Sequence, residues 1–201
     1  NNKKDIKGYI SSAFVSNGIL TCALILISIL IVRHIDLNWF FNVSHDMVSS
    51  DKLMLAIVIT LIGVGMRFFM TTVNSIFYAL QKSSVNNFLA LIASVLLLGF
   101  VFIAPGKTAE DKLVSMAIGY AALSNIPTIV SAIILFSTKL RYAIPSVKHL
   151  SWPHTRDVLS IGILFFLCQI LYMVLINTNE FFITRIFGPS NTVEYQIYYK
   201  L

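Results

Sequence analysis

Five long apolar runs constrain this chain more than any other feature of it. They are Ile10–Val32, Leu53–Leu80, Phe88–Ala104, Leu113–Phe136 and Val158–Phe187. A bilayer core about 30 Å thick takes about 20 apolar residues in helical form. In lipid a helix satisfies its own backbone hydrogen bonds, so helices are the fit for runs of this length. A membrane barrel would instead show shorter segments of alternating polarity, and no such pattern is visible. Composition agrees: 57% of the residues are hydrophobic and 12% charged, about half the charge of an ordinary soluble domain. Mean hydropathy is +0.80. The expected fold class is all-α, a polytopic transmembrane helical bundle of about five spans. Val193–Leu201 reads as the start of a sixth. With Asn1 first and no signal peptide in sight, the expectation is a fragment cut at both ends.

The charges fall between the runs, where a membrane protein keeps them. The net charge of +6 is therefore no argument for nucleic acid, which is excluded as a partner. Lys3, Lys4, Lys7, Lys82, Lys139, Arg141, Lys148 and Arg156 map to one side of the membrane. Arg33, Lys52, Lys107, Lys112 and Arg185 map to the other. The excess places the first group in the cytoplasm. On the opposite side, Trp39, Phe40 and Phe41 are candidate interface anchors. Residues 138–157 form a basic connector punctuated by Pro145 and Pro153. It interleaves Tyr142, Ile144, Val147, Leu150 and Trp152 with its charges, which suits contact with anionic lipids as well as an ordinary cytoplasmic loop. It separates residues 1–137, the first lobe, from 158–201, the start of a second. Cys22 and Cys168 lie inside apolar runs, and the four histidines share no ligand spacing, so no metal site is expected.

Arg67 is the sharpest chemical signal. It lies 14 residues from Leu53 and 13 from Leu80, midway along the second run. An arginine at bilayer centre costs about 2.5–3.5 kcal/mol on insertion scales and is rarely left facing lipid. Thr60, Gly63, Arg67, Thr71, Asn74, Tyr78 and Gln81 recur at spacings of three and four, within an arc of about 80° on a helix. One reading is a water-filled cavity whose guanidinium holds a phosphate in bidentate fashion. The other is a hydrogen-bonding seam with Arg67 in a buried ion pair. The fifth run turns polar at Asn177-Thr178-Asn179-Glu180, and Gln169, Asn177, Glu180 and Thr184 share a face. A carboxylate inside the membrane is a candidate for proton or Na+ coupling, since burial raises its pKa; it could equally be the partner of an arginine. Pro127, beside Ser124, Asn125 and Thr128, predicts a kink whose freed carbonyl is taken up by a polar neighbour. No zinc-protease, nucleotide-binding or nucleophile-elbow motif is present, so the chain does not read as an enzyme and no cofactor is expected.

Two stretches resemble the polysaccharide transporter family, the O-antigen flippases of the superfamily that also holds multidrug exporters. The first is Phe77-Tyr78-Ala79-Leu80-Gln81-Lys82 followed by Asn87-Phe88-Leu89. The second is Asn177-Thr178-Asn179-Glu180-Phe181-Phe182-Ile183, then Phe187-Gly188, Val193-Glu194-Tyr195 and Tyr199-Lys200-Leu201. Glu180 stands where the family usually has Asp, and Phe187 where it has Leu. The resemblance implies a two-lobe, alternating-access transporter of the bacterial inner membrane. Its substrate would be an undecaprenyl-pyrophosphate-linked oligosaccharide, an O-antigen or capsule repeat unit, and polysaccharide polymerase machinery would be a partner. Independently of the resemblance, position and charge make Arg67, Thr71, Asn74, Tyr78, Gln81 and Asn177 the candidate cavity residues, and Glu180 the candidate for coupling. The alternatives are a multidrug-type exporter of the same superfamily, or a membrane polymerase or ligase of polysaccharide assembly.

Overall fold

The computed structural model describes residues 2–41, 48–187 and 195–196. Among these residues the chain is helical and carries no strand. The helices are α1 (Asn2–Arg33), α2 (Leu37–Phe41), α3 (Ser50–Ala79), α4 (Ser83–Ile103), α5 (Ala109–Leu123), α6 (Ile126–Ser137) and α7 (Trp152–Phe187). Two 3₁₀ turns, Arg141–Ala143 and Val147–His149, lie between α6 and α7. Five stretches are long and apolar enough to cross a membrane: Lys3–Arg33, Ser50–Ala79, Ser83–Ile103, Ala109–Ser137 and Trp152–Leu175. The chain is a multi-pass membrane protein by length and composition. The segment expected to begin a sixth span falls almost wholly outside the described residues.

Asn1–Ser151 forms one unit and Trp152–Leu201 a second. The second contains α7, whose 36 residues span roughly 54 Å at 1.5 Å per residue, more than a bilayer core needs. In the first, α3 is the central helix and packs against α1, α5, α4 and α6. The core is narrow. Val73, Phe77, Leu135, Leu140 and Ala143 are buried together, with Phe14 and Phe136 packed against them. Most of α4 is exposed, including Phe88, Leu91, Val95, Leu98 and Phe102. In water such a surface would aggregate; in a bilayer, lipid tails are as apolar as leucine and there is no drive to bury it.

The sequence predicts a continuous fourth span with a kink at Pro127. The structure breaks it into α5 and α6 at Ser124–Asn125, with Pro127 in the first turn of α6. A proline suits that position because a first-turn N–H has no helical partner to lose. The Asn125 N–H bonds the Ala122 carbonyl rather than that of Ala121. Its side-chain amide then takes up the Ala121 carbonyl at 2.8 Å. Asn125 is thus the polar residue at the break, and the carbonyl it satisfies is Ala121's rather than that of Leu123, the one Pro127 itself leaves without a helical N–H.

The turn between α3 and α4 is tighter than its sequence announces. Lys82 N–H bonds the Phe77 carbonyl and Gln81 N–H that of Tyr78, the paired pattern that closes a helix on a left-handed residue. That residue is Gln81, with φ of 58°, a region where glycine or asparagine is usual. Gln81→Gly is expected to raise the unfolding free energy of the purified protein by about 1 kcal/mol, read from denaturant titration of helicity.

The basic connector is structured and docked. The Ser146 N–H bonds Ser11 Oγ at 3.1 Å. Ser12 Oγ accepts from the Ser151 N–H at 3.2 Å and donates to the Ser151 carbonyl at 3.4 Å. Ser11 and Ser12 are fully buried, and the Lys3 ammonium lies 5.4 Å from the centre of the Tyr142 ring. Residues 138–151 therefore belong with the first four spans rather than standing apart as a free linker. At the other end of the unit, the short α2 is tied to the start of α3. Asn38 Nδ2 donates to the Val48 carbonyl at 2.9 Å, and Ser50 Oγ donates to Asn38 Oδ1 at 2.8 Å. Trp39, Phe40 and Phe41 remain exposed.

Candidate functional site

Three sides of α3 are occupied by packing, and what they leave open is the candidate site. Asn17 of α1 lies against the backbone of α3. Its Nδ2 reaches the carbonyls of Phe68 and Phe69 at 3.2 and 3.1 Å and Thr72 Oγ1 at 2.8 Å. On a second side, α5 approaches so closely that a Cβ on Gly63 would stand 2.6 Å from Ala121 Cβ. Asn125 Nδ2 also donates to the Gly63 carbonyl at 3.0 Å. On a third side, Val73 and Phe77 meet Leu135 of α6, and Asn86 of α4 donates to the Asn74 carbonyl at 3.0 Å.

The polar stripe of α3 is consequently two surfaces rather than one. Its first part is seam: Gly63 is buried against α5, and the Thr60 hydroxyl donates to the Ala56 carbonyl at 2.8 Å. Its second part is open. Arg67, Thr71 and Tyr78 are exposed, and Ser75 is exposed beside them. Asn74 is half-buried, and Gln81 lies beyond the end of the helix in the turn. The Thr71 hydroxyl donates to the Phe68 carbonyl at 2.6 Å, which leaves its oxygen free to accept. Arg67 makes no ion pair and no side-chain hydrogen bond among the described residues. The buried ion pair weighed from sequence is absent from that set. Asn177 and Glu180 lie within α7, but their side chains, with that of Thr184, fall outside the described residues.

The division has a cause in α5 and α6. α5 runs beside α3 from the level of Leu53 to that of Gly63 and then breaks at Asn125. α6 continues along the side of α3 that carries Val73 and Phe77, not along the stripe. The break in the fourth span thus uncovers Arg67. A cavity of about 800 Å³ does lie between α3 and α5, yet it is the wrong one for an anion. Its walls include Leu53, Ile57, Leu113 and Met116, and of the stripe it takes only Thr60.

The basic end of the unit gathers cations. Lys139, just past α6, lies beside Lys82 at the α3–α4 turn, and the adjacent Lys139 ammonium holds the Lys82 pKa below the ordinary lysine range. Arg141 and Lys148 are exposed nearby in the sequence. No family model, no curated protein and no solved structure matches the chain. The functional reading rests on these side chains.

Asn17, Ser11 and Ser12 organise the unit without being singled out from sequence. The signal was present: Asn17 and Thr21 stand four apart in a mainly apolar run, and the Thr21 hydroxyl donates to the Asn17 carbonyl at 2.7 Å. Hydrogen bonds of this kind inside membranes contribute about 0.6 kcal/mol on average and about 1.7 at most.

Proposed function

We propose that this chain is part of a flippase for undecaprenyl-pyrophosphate-linked oligosaccharides, with the open face of α3 as the site for the anionic head group. The observation that carries this is Arg67: exposed in the middle third of a 30-residue helix and without an ion-pair partner among the described residues. A guanidinium at that depth needs an anion or water to offset its cost. Pyrophosphate is the anion it fits best, through paired N–H···O bonds. Thr71 and Tyr78 supply hydroxyls on the same face for sugar or phosphate oxygens. Gln81 and the half-buried Asn74 extend the face toward the basic end. Glu180 is the coupling residue in this scheme, by proton or Na+, and Asn177 its polar neighbour. Two lobes alternating about the site would carry the head group across while the lipid tail stays in the bilayer.

The multidrug alternative asks for acids and aromatics facing a cationic drug, and Arg67 would repel such a ligand. The polymerase or ligase alternative asks for a large external loop with catalytic Arg or His, and the loop Arg33–Lys52 is short. Depleting the whole protein from a cell that builds a polyprenyl-linked surface glycan tests the proposal. The expected result is loss of surface glycan with lipid-linked repeat units accumulating inside. Normal surface glycan together with lost efflux of cationic dyes would move the protein to the exporters.

A further inference from the structure

A second cleft, of about 550 Å³, opens at the basic end of the first unit. Phe14 of α1, Val73 of α3 and Ile133 and Phe136 of α6 line its wall, and Arg141 and Ile144 stand at its mouth. The wall lies at acyl-chain depth: Val73 is six residues, roughly 9 Å, short of the end of α3. The mouth lies at head-group depth, just beyond the last turn of α6. Ile133, Ile144 and Arg141 are exposed there, so the cleft is open to the surrounding leaflet. Arg141 makes no ion pair among the described residues. The mouth is also held in shape, because the Ser146 N–H is fixed to buried Ser11 directly after Ile144-Pro145.

We infer that this cleft binds an anionic phospholipid of the adjacent leaflet, one acyl chain against Phe14, Ile133 and Phe136 and the phosphate on Arg141. Water is a poor filler for such walls, since buried water needs several polar partners. A hydrocarbon chain is the solvent at hand. A free phosphate would leave the wall bare, and a neutral lipid would leave the guanidinium unmatched. Basic pockets between transmembrane helices on the cytoplasmic side are where anionic head groups settle. The site is separate from the one proposed for transport. Val73 lies about 120° around α3 from Arg67, on the side that faces α6.

The test uses the whole protein with Trp39 and Trp152 replaced by Phe and a single reporter, Ile144→Trp, at the mouth. It is placed in phosphatidylcholine vesicles carrying a small, equal fraction of acyl-brominated phosphatidylglycerol or acyl-brominated phosphatidylcholine. Phosphatidylglycerol is expected to quench the reporter with about fivefold preference, the weight of one basic side chain at a membrane surface. Arg141→Gln should bring the preference to about one, and Arg141→Lys should keep part of it. Since Arg141 is exposed, none of these changes should disturb folding. Equal quenching by both lipids with Arg141 intact overturns the site, as does a preference that survives Arg141→Gln, or no quenching by either lipid. Displacement of the brominated lipid by polyprenyl pyrophosphate would assign the cleft to the transported lipid and overturn the inference likewise.

Discussion

Gly63→Ala is expected to destabilise the first unit by about 1–3 kcal/mol, the usual loss from overpacking a tight interface. The added Cβ would lie 2.6 Å from Ala121 Cβ and 2.7 Å from Ala121 Cα. Neither atom is the far end of a flexible side chain, so no change of rotamer relieves the clash and one helix must move. The movement would also lengthen the 3.0 Å bond from Asn125 to the Gly63 carbonyl. Ala121→Gly in the same chain should recover only part of the loss, because the backbone of residue 121 still stands in the way. Gly99 is the control. A Cβ there meets nothing within 4 Å, so Gly99→Ala should be neutral or stabilise by up to about 1 kcal/mol through helix propensity. Denaturant titration of the purified protein separates these outcomes. Equal effects at the two glycines would mean that α5 is not seated on α3 at this level.

The helices were legible in the sequence and their neighbours were not. An apolar run of about 20 residues has one stable backbone conformation in lipid, so the spans follow from the apolar runs, although each helix begins three to eight residues before its run. The stripe on α3 was legible in the same way, because the angle of a residue around a helix is fixed by its number. What covers each angle is a property of other helices. Gly63 became seam because α5 lies over it, Thr60 came to line the apolar cavity between α3 and α5, and Arg67 stayed open because the fourth span breaks at Asn125. Pro127 announced a kink; it did not say that the chain beyond it would follow the Val73 side of α3. The docking of residues 138–151 rests on Ser11 and Ser12, more than 130 residues earlier in the chain. Two serines in an apolar run carry no signal for such a distant contact. The short α2 was hidden for a related reason: its packing depends on Asn38 reaching Val48 and Ser50, not on a periodic pattern.

Arg67→Leu is expected to act in opposite directions on stability and on transport. On insertion scales a central arginine costs about 2.5–3.5 kcal/mol and a leucine returns a few tenths. If the open face of α3 meets lipid or a thin water layer, the variant should therefore insert more readily and unfold later, by up to about 3 kcal/mol. Transport should fail at the same time. A hydrogen bond to a charged group is worth about 1.5–3 kcal/mol, so head-group affinity should fall roughly ten- to hundredfold. Arg67→Lys keeps the charge and loses the planar fork, and should fall between wild type and Arg67→Leu. The pair of measurements discriminates among the roles open to this residue. A more stable, inactive Arg67→Leu is the signature of a side chain retained for a ligand. A variant that transports normally removes Arg67 from the mechanism. A variant destabilised by about 3–5 kcal/mol would show that the guanidinium belongs to a buried ion pair in the assembled protein, since that is the cost of orphaning the partner charge. Glu180 would then be the first carboxylate to test, by asking whether Glu180→Gln restores the stability that Arg67→Leu takes away.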